Sequence, residues 1–100
     1  WKQRYNQEFD ENKMKIKTVE GYIGPGYGVA GPEIFDSIAE LASSEGIFLD
    51  PVYTGKAFHG MVTELQKGDA GALRGAKNVL FIHTGGLFGV FPQQQNFRFD

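Results

Sequence analysis

The chain has 100 residues and a mass of 11.1 kDa, the size of one small domain, with a net charge of -2. Ten basic against twelve acidic side chains exclude a nucleic-acid grip built on bulk positive charge, and no apolar run reaches the length of a membrane span. Without cysteine there is no disulfide or thiolate metal site, and two histidines cannot supply a zinc site unaided, so we expect no metal.

The first twenty residues differ in composition from the rest. They carry nine of the 22 charges and neither glycine nor proline, and they start at Trp1 without the apolar core of a signal peptide. They could form a solvated helix with Tyr5 and Phe9 on one side, or be a frayed remnant. We expect a processed product or a fragment, with residues 1–15 unassigned.

Two helices and three short strands are predicted from residue 16 onward. Weak apolar patterning favours a strand near 16–23, and the glycines of 24–31 predict turns. Residues 32–44 repeat apolar side chains at helical spacing, with Gly46 as the C-cap. A second helix is predicted from near Thr54 or Gly55 until Gly68 ends it. Apolar runs at 47–49 and 78–83 predict buried strands.

This alternation predicts an α/β fold, a three-layer fragment of a mostly parallel sheet with flanking helices. Two helices cannot cover both faces of three strands. The chain is therefore expected to be a piece of a larger α/β domain.

One motif suggests a dinucleotide site. Gly26, Gly28 and Gly31 spell G-x-G-x-x-G, and Asp50 ends the next predicted strand, where a ribose-binding acid would lie. The polar segment before the motif and the prolines that flank it count against this interpretation. A non-catalytic dinucleotide-binding module nevertheless stays open.

Polar side chains follow two predicted strands at their carboxyl ends, where ligands bind in open α/β sheets. Tyr53 and Thr54 follow one strand and Thr84 the other, while Tyr27 lies in the glycine-rich stretch. A tyrosine ring and threonine hydroxyls can hold a flat heteroaromatic ring by stacking and hydrogen bonding. Each also has an ordinary role, such as helix capping by Thr54.

The segments GYIGPGYG, EGIFLDPVYTGKAFHGM and VLFIHTGG together resemble the C-terminal part of the D-cysteine desulfhydrase and 1-aminocyclopropane-1-carboxylate deaminase family. The resemblance covers residues 16–91, as the C-terminal part of a cofactor-binding domain, and leaves 92–100 as a tail. It implies pyridoxal 5'-phosphate as cofactor and fold type II, the tryptophan-synthase-β type.

The resemblance also implies roles for individual residues. Tyr53 would stack on the cofactor ring, Thr84 would hydrogen-bond the pyridine nitrogen, and Tyr27 would line the substrate side. Tyr27 and Tyr53 are the expected catalytic residues; the expected cofactor-binding residues are Tyr53, Thr54, Thr84 and Gly85. The deaminase branch tends to carry Glu and Leu where this chain has Thr54 and Thr84, which favours the desulfhydrase.

The implied reaction converts D-cysteine and water to pyruvate, hydrogen sulfide and ammonia, with the deaminase activity as the alternative. None of the seven lysines lies in the context of the family's Schiff-base lysine, so the chain alone is expected to be inactive. The expected partners are an amino-acid substrate and, for the parent enzyme, a second copy in the cytoplasm or mitochondria. A non-catalytic product that associates through the apolar face of 78–83 is a third interpretation.

Overall fold

The computed structural model describes residues 2–8 and 10–98 and contains two substantial helices. We number the α-helices α1 (Lys2–Tyr5), α2 (Pro32–Glu45) and α3 (Thr54–Gln66). Shorter 3-10 segments are Glu11–Lys13, Gly68–Ala70 and Leu87–Asn96.

Helix α2 confirms the helix predicted after the glycine-rich stretch. Pro32 occupies the first turn, where its missing N–H costs nothing, and the helix buries Ile34, Phe35 and Ile38. Gly46 ends it in the left-handed conformation at φ 68°, and its N–H donates to the Ala42 carbonyl. The predicted C-cap is therefore confirmed.

Helix α3 begins at Thr54, as predicted, and packs against α2. The approach is close at Gly55, where a Cβ would lie 2.6 Å from Ile38 Cδ1. Ile34, Ile38 and Leu49 form the buried core. The partly buried side chains packed against it are Ala30, Leu41, Phe58, Phe81 and Phe97.

The predicted sheet is not found in the described residues. None of the segments 16–23, 47–49 and 78–83 is a strand, and the only β-bridge in the described ranges is an isolated antiparallel one between Gly26 and Val29. A strand requires N–H and C=O groups paired with a neighbouring strand, and no backbone hydrogen bond joins these three segments. The three-strand prediction is therefore not confirmed in the described residues.

The apolar side chains of 78–83 are largely uncovered as a result. Phe81 packs edge-on against Phe58, with ring centroids 5.6 Å apart, but Leu80 is 85% exposed and Ile82 is also exposed. The radius of gyration is 16.7 Å, whereas a compact chain of 100 residues has about 13 Å. Much of the apolar surface that a folded domain would bury therefore faces outward.

The amino-terminal stretch is not one long helix. Helix α1 is a single turn, and residues 14–20 are exposed and non-helical. Phe9, which was predicted to share a helix side with Tyr5, lies outside the described residues, as do the last two residues of the tail. No helix of the described ranges is long and apolar enough to cross a membrane.

Candidate active site

Two tyrosines meet beside a cavity of about 800 Å³. The hydroxyl oxygens of Tyr27 and Tyr53 are 2.6 Å apart, and their rings meet edge-on with centroids 5.8 Å apart. Tyr27 is 79% and Tyr53 58% exposed, so both rings are accessible to a ligand. The hydrogen bond with Tyr27 raises the pKa of Tyr53 above its ordinary value, since it favours a phenol that keeps its proton.

The turn that carries Tyr53 is organised by Asp50, which is 1% exposed. One oxygen, Oδ1, accepts the N–H groups of Val52 and Tyr53 at 2.8 and 2.7 Å. The other, Oδ2, accepts the Thr54 N–H at 2.9 Å and the Thr54 hydroxyl at 2.5 Å. The carboxylate thus satisfies backbone donors at the start of α3 that the helix itself cannot.

These hydrogen bonds also fix the charge of Asp50. Burial alone would raise its pKa, but the bonds from the Thr54 hydroxyl and from the N–H groups of Thr54, Tyr53 and Val52 outweigh burial and lower the pKa. Asp50 is therefore a carboxylate at neutral pH. Its function here is to cap the helix and orient Tyr53.

Thr54 is buried and its hydroxyl has two partners inside the chain. It donates to Asp50 Oδ2 and accepts the Asp50 N–H at 2.9 Å. Thr54 is the first residue of α3 rather than its cap, because Asp50 does the capping. A hydrogen bond from Thr54 to a cofactor would require its hydroxyl to leave Asp50.

The second turn of the predicted site, residues 83–86, lies beside the first. His83 Nε2 donates to the Phe48 carbonyl at 2.7 Å, and Gly85 N–H donates to His83 Nδ1 at 3.0 Å. Gly86 has φ 88°, and a Cβ there would lie 2.8 Å from Asp50 Oδ2. Only glycine allows this turn to approach Asp50, and Thr84, in the same turn, is exposed.

The cavity beside the tyrosine pair has a volume of about 800 Å³. It is lined by residues 18–24 together with Tyr27, Val52, Tyr53, Lys56 and Ala57. An accessible aromatic ring at the edge of a space of this size suits a flat pyridine ring. Thr84, the neutral partner implied for the ring nitrogen, is exposed on the neighbouring turn and is not among the residues that line this cavity. The accessible ring of Tyr53 beside this cavity therefore fits the stacking surface that the pyridine ring of pyridoxal phosphate needs.

The dinucleotide interpretation has no support in this geometry. All acceptor positions of Asp50 are filled by its own turn, so none is left for a ribose hydroxyl. The Glu33 carboxylate lies at the start of α2, where a Cβ on Gly31 would be 2.4 Å from both its oxygens. A negative charge already occupies the place that a pyrophosphate would take.

Three polar side chains have structural roles that the sequence patterns did not indicate. A lysine in a first helical turn is ordinarily solvated, but Lys56 is 7% exposed and donates to the carbonyls of Ile23 and Gly26 at 2.6 and 3.0 Å. His59 is partly buried, with its Nδ1 2.9 Å from the Ser37 hydroxyl. Their partners are more than 20 residues away in sequence, so no local pattern indicated them.

Glu64 is the third of these side chains, and it is buried near the end of α3. It accepts hydrogen bonds from the Lys67 ammonium, the Tyr22 hydroxyl and the Ala72 N–H, which lower its pKa to about 2. In the described ranges, no group of three or more histidine and carboxylate side chains could hold a metal ion.

Comparison with known proteins identifies the class. Residues 3–85 match the family described as pyridoxal-phosphate dependent enzyme. A putative 1-aminocyclopropane-1-carboxylate deaminase from Thermotoga maritima is 46% identical over 84% of this chain and 25% of its own length. One from Pyrococcus abyssi is 49% identical over 79% of this chain and 22% of its own.

A further relative is named for two activities. The mitochondrial bifunctional D-cysteine desulfhydrase/1-aminocyclopropane-1-carboxylate deaminase of Arabidopsis thaliana is 41% identical over 82% of this chain and 20% of its own length. No solved structure matches the chain. The chain belongs to the pyridoxal-phosphate dependent enzyme family and spans a quarter or less of these relatives.

Proposed function

We propose that this chain forms one wall of the active site of a D-cysteine desulfhydrase, which converts D-cysteine and water to pyruvate, hydrogen sulfide and ammonia. The observation that carries the proposal is the hydrogen-bonded pair of Tyr27 and Tyr53 at the cavity, beside the turn that carries Thr84. Bound pyridoxal phosphate is an electron sink that acidifies the α-hydrogen of an amino acid.

The residues of this chain divide the remaining tasks. The accessible ring of Tyr53 would hold the pyridine ring by stacking, and the Thr84 hydroxyl would bind its nitrogen, with Gly85 shaping that turn. The raised pKa of Tyr53 keeps its phenol protonated at neutral pH, so it serves as a proton donor rather than a base. Tyr27, on the substrate side, shares that proton through the 2.6 Å contact.

The choice of desulfhydrase over deaminase rests on Thr54 and Thr84. A carboxylate near the pyridine nitrogen would keep it protonated and the sink strong, whereas neutral hydroxyls leave it weaker. Elimination of a thiolate, which is a good leaving group, needs less help than opening a cyclopropane ring. The names of the relatives support both activities, so the deaminase is the second candidate.

The test uses a fusion enzyme in which this chain replaces the quarter of the Thermotoga maritima relative that it matches. We expect sulfide release from D-cysteine to exceed 2-oxo acid release from the cyclopropane substrate. Thr54→Glu with Thr84→Leu should reverse that preference, while Thr54→Ser, the matched control, should keep it. An unchanged preference in the double variant would contradict the assignment.

Fold and assembly complete the proposal. The exposed apolar side chains of 78–83 and the apolar run at 47–49 suit buried strands, so we propose that they join a mostly parallel fold type II sheet supplied by further chain. Residues 16–91 would then be the C-terminal part of the cofactor-binding domain, in a homodimer located in the cytoplasm or in mitochondria. Size-exclusion chromatography of the fusion enzyme tests the dimer.

A further inference from the structure

Lys56 is the most deeply buried cationic side chain in the described ranges, and it faces neutral partners. Its ammonium donates to two carbonyls of the glycine-rich stretch, those of Ile23 and Gly26, and it lines the same cavity as Tyr27 and Tyr53. In the described part of the chain, no carboxylate lies within 4.0 Å of it. Burying an ammonium without an anion is costly, so its hydrogen bonds must offset that cost.

The position of Lys56 along its helix adds to that cost. It is the third residue of α3, where the unpaired N–H groups and the helix dipole disfavour a cation. A side chain placed against both burial and the helix dipole is typical of a functional constraint. The hydrogen bonds from Lys56 to the glycine-rich stretch indicate what that constraint is.

The glycine-rich stretch and the start of α3 are joined at two points, by the tyrosine contact and by Lys56. Lys56 lies three residues after Tyr53, in the first turn of α3, and Gly26 immediately precedes Tyr27. The bond from Lys56 to the Gly26 carbonyl therefore lies one residue from the tyrosine contact. Because both Tyr27 and Tyr53 are exposed, packing alone does not fix the pair.

We propose that Lys56 is the positioning residue that holds Tyr27 against Tyr53, by fastening the glycine-rich stretch to the start of α3. Its importance for catalysis rests on the function proposed above, but the positioning does not. Glycine at position 24, with φ 74°, lets the backbone turn between the two carbonyls that the ammonium bridges.

The test measures the tyrosine pair directly in the 100-residue chain, without cofactor. The Cζ carbon shift of tyrosine reports the hydrogen bonding of the phenol, and NMR at pH 7 on chain labelled at that carbon gives it for each ring. Tyr53→Phe assigns the signals, and Tyr27→Phe defines the Tyr53 signal without its partner. Lys56→Met should move the Tyr53 signal through at least about half of that difference, and Lys56→Arg should restore it.

Lys67→Met is the matched control. The Lys67 ammonium bonds Glu64 and the Tyr22 hydroxyl and does not contact the tyrosine pair. If Lys56 only stabilised the fold, Lys56→Met and Lys67→Met would change the Tyr53 signal alike. A positioning role predicts a changed Tyr53 signal in Lys56→Met alone. A folded Lys56→Met chain with the wild-type Tyr53 signal would overturn the proposal, as would an equal change in Lys67→Met.

If Lys56→Met loses its helical circular dichroism, Lys56→Gln decides, because its shorter amide cannot bridge both carbonyls. A wild-type Tyr53 signal there refutes the positioning role, and a displaced one supports it. Failure of the desulfhydrase proposal would appear separately, as a fusion enzyme that releases no sulfide while the tyrosine signals still depend on Lys56.

Discussion

Removal of the Asp50 carboxylate should destabilise the start of α3 more than any other single change near the site. Asp50→Ala deletes the acceptor of three backbone N–H groups and of the Thr54 hydroxyl at once. Loss of a helix cap costs about 0.5–2 kcal/mol, and a buried donor left unpaired costs about 1–3 kcal/mol. Since water can reach the exposed Tyr53 but not the buried Thr54, we expect a total near 3 kcal/mol (about one cap and one unpaired donor).

Asp50→Asn separates shape from charge. It keeps one oxygen for the N–H groups of Val52 and Tyr53 but places an amide donor against the Thr54 N–H, so we expect a loss of about 1 kcal/mol. In a chain of this size each kcal/mol lowers the melting temperature by about 4–8 °C. Asp50→Ala should therefore melt at least about 12 °C below the wild type.

Thermal and urea unfolding, followed by far-ultraviolet circular dichroism, measure both changes. Because the folded pKa of Asp50 is lowered, its charged form stabilises the fold fully above the ordinary value of about 3.9 and loses that effect as pH falls through the folded pKa. The difference in stability between wild type and Asp50→Asn should therefore narrow as the pH falls through the folded pKa of Asp50. Asp36→Ala, which removes an exposed carboxylate on α2, is the control; equal losses in both alanine variants would refute the capping argument.

Other residues give sharper tests of single contacts. The hydrogen bond from Lys67 is the main reason that the pKa of Glu64 is lowered to about 2, so the charged Glu64 stabilises the fold fully above pH 4.5 and loses that effect as the pH falls towards 2. The urea midpoints of wild type and Glu64→Gln should therefore converge near pH 2. A difference between the two midpoints that does not change with pH would contradict this. Tyr27→Phe should lower the pKa of Tyr53 and cut sulfide release by the fusion enzyme at least about 10-fold; unchanged kcat would exclude the pair from catalysis. Leu80→Lys should leave the isolated chain's melting temperature unchanged, because the side chain is 85% exposed, but prevent the fusion enzyme from folding. A folded, active Leu80→Lys fusion enzyme would contradict the buried-strand proposal.

The helices could be predicted because their signals are local. Pro32 and Gly46 mark the ends of α2, and the apolar spacing between them fixes which side is buried. The predicted strands are not confirmed in the described residues, and the reason is physical, since a strand depends on partners that sequence patterning does not supply. The unalternating apolar run at 78–83 indicates what the segment prefers to bury, and its exposure shows that those partners are absent among the described residues.

The site was predictable to the level of segments but not of contacts. The pairing of Tyr27 with Tyr53 joins residues 26 apart in sequence, and the resemblance implies a shared active site for both without indicating that they touch. The bonds of Lys56 span 33 and 30 residues, and a lysine in a first helical turn carries no sign of burial. Local rules assign such a side chain to solvent, because the cost and compensation of burial both depend on tertiary structure.

Under the proposed function, the contact between Asp50 and Thr54 would link the residue at position 54 to the charge of the cofactor ring. The Asp50 carboxylate is ionised and accepts a hydrogen bond from the Thr54 hydroxyl, which adds no charge to the turn. A glutamate at this position, as the deaminase branch tends to carry, would place a second negative charge beside the first. Such a pair is favourable only next to a cation, which a protonated pyridine nitrogen would provide. Threonine adds no second charge and removes that requirement, so under the proposed function the helix cap would be compatible with a neutral ring nitrogen, the state that the desulfhydrase proposal needs.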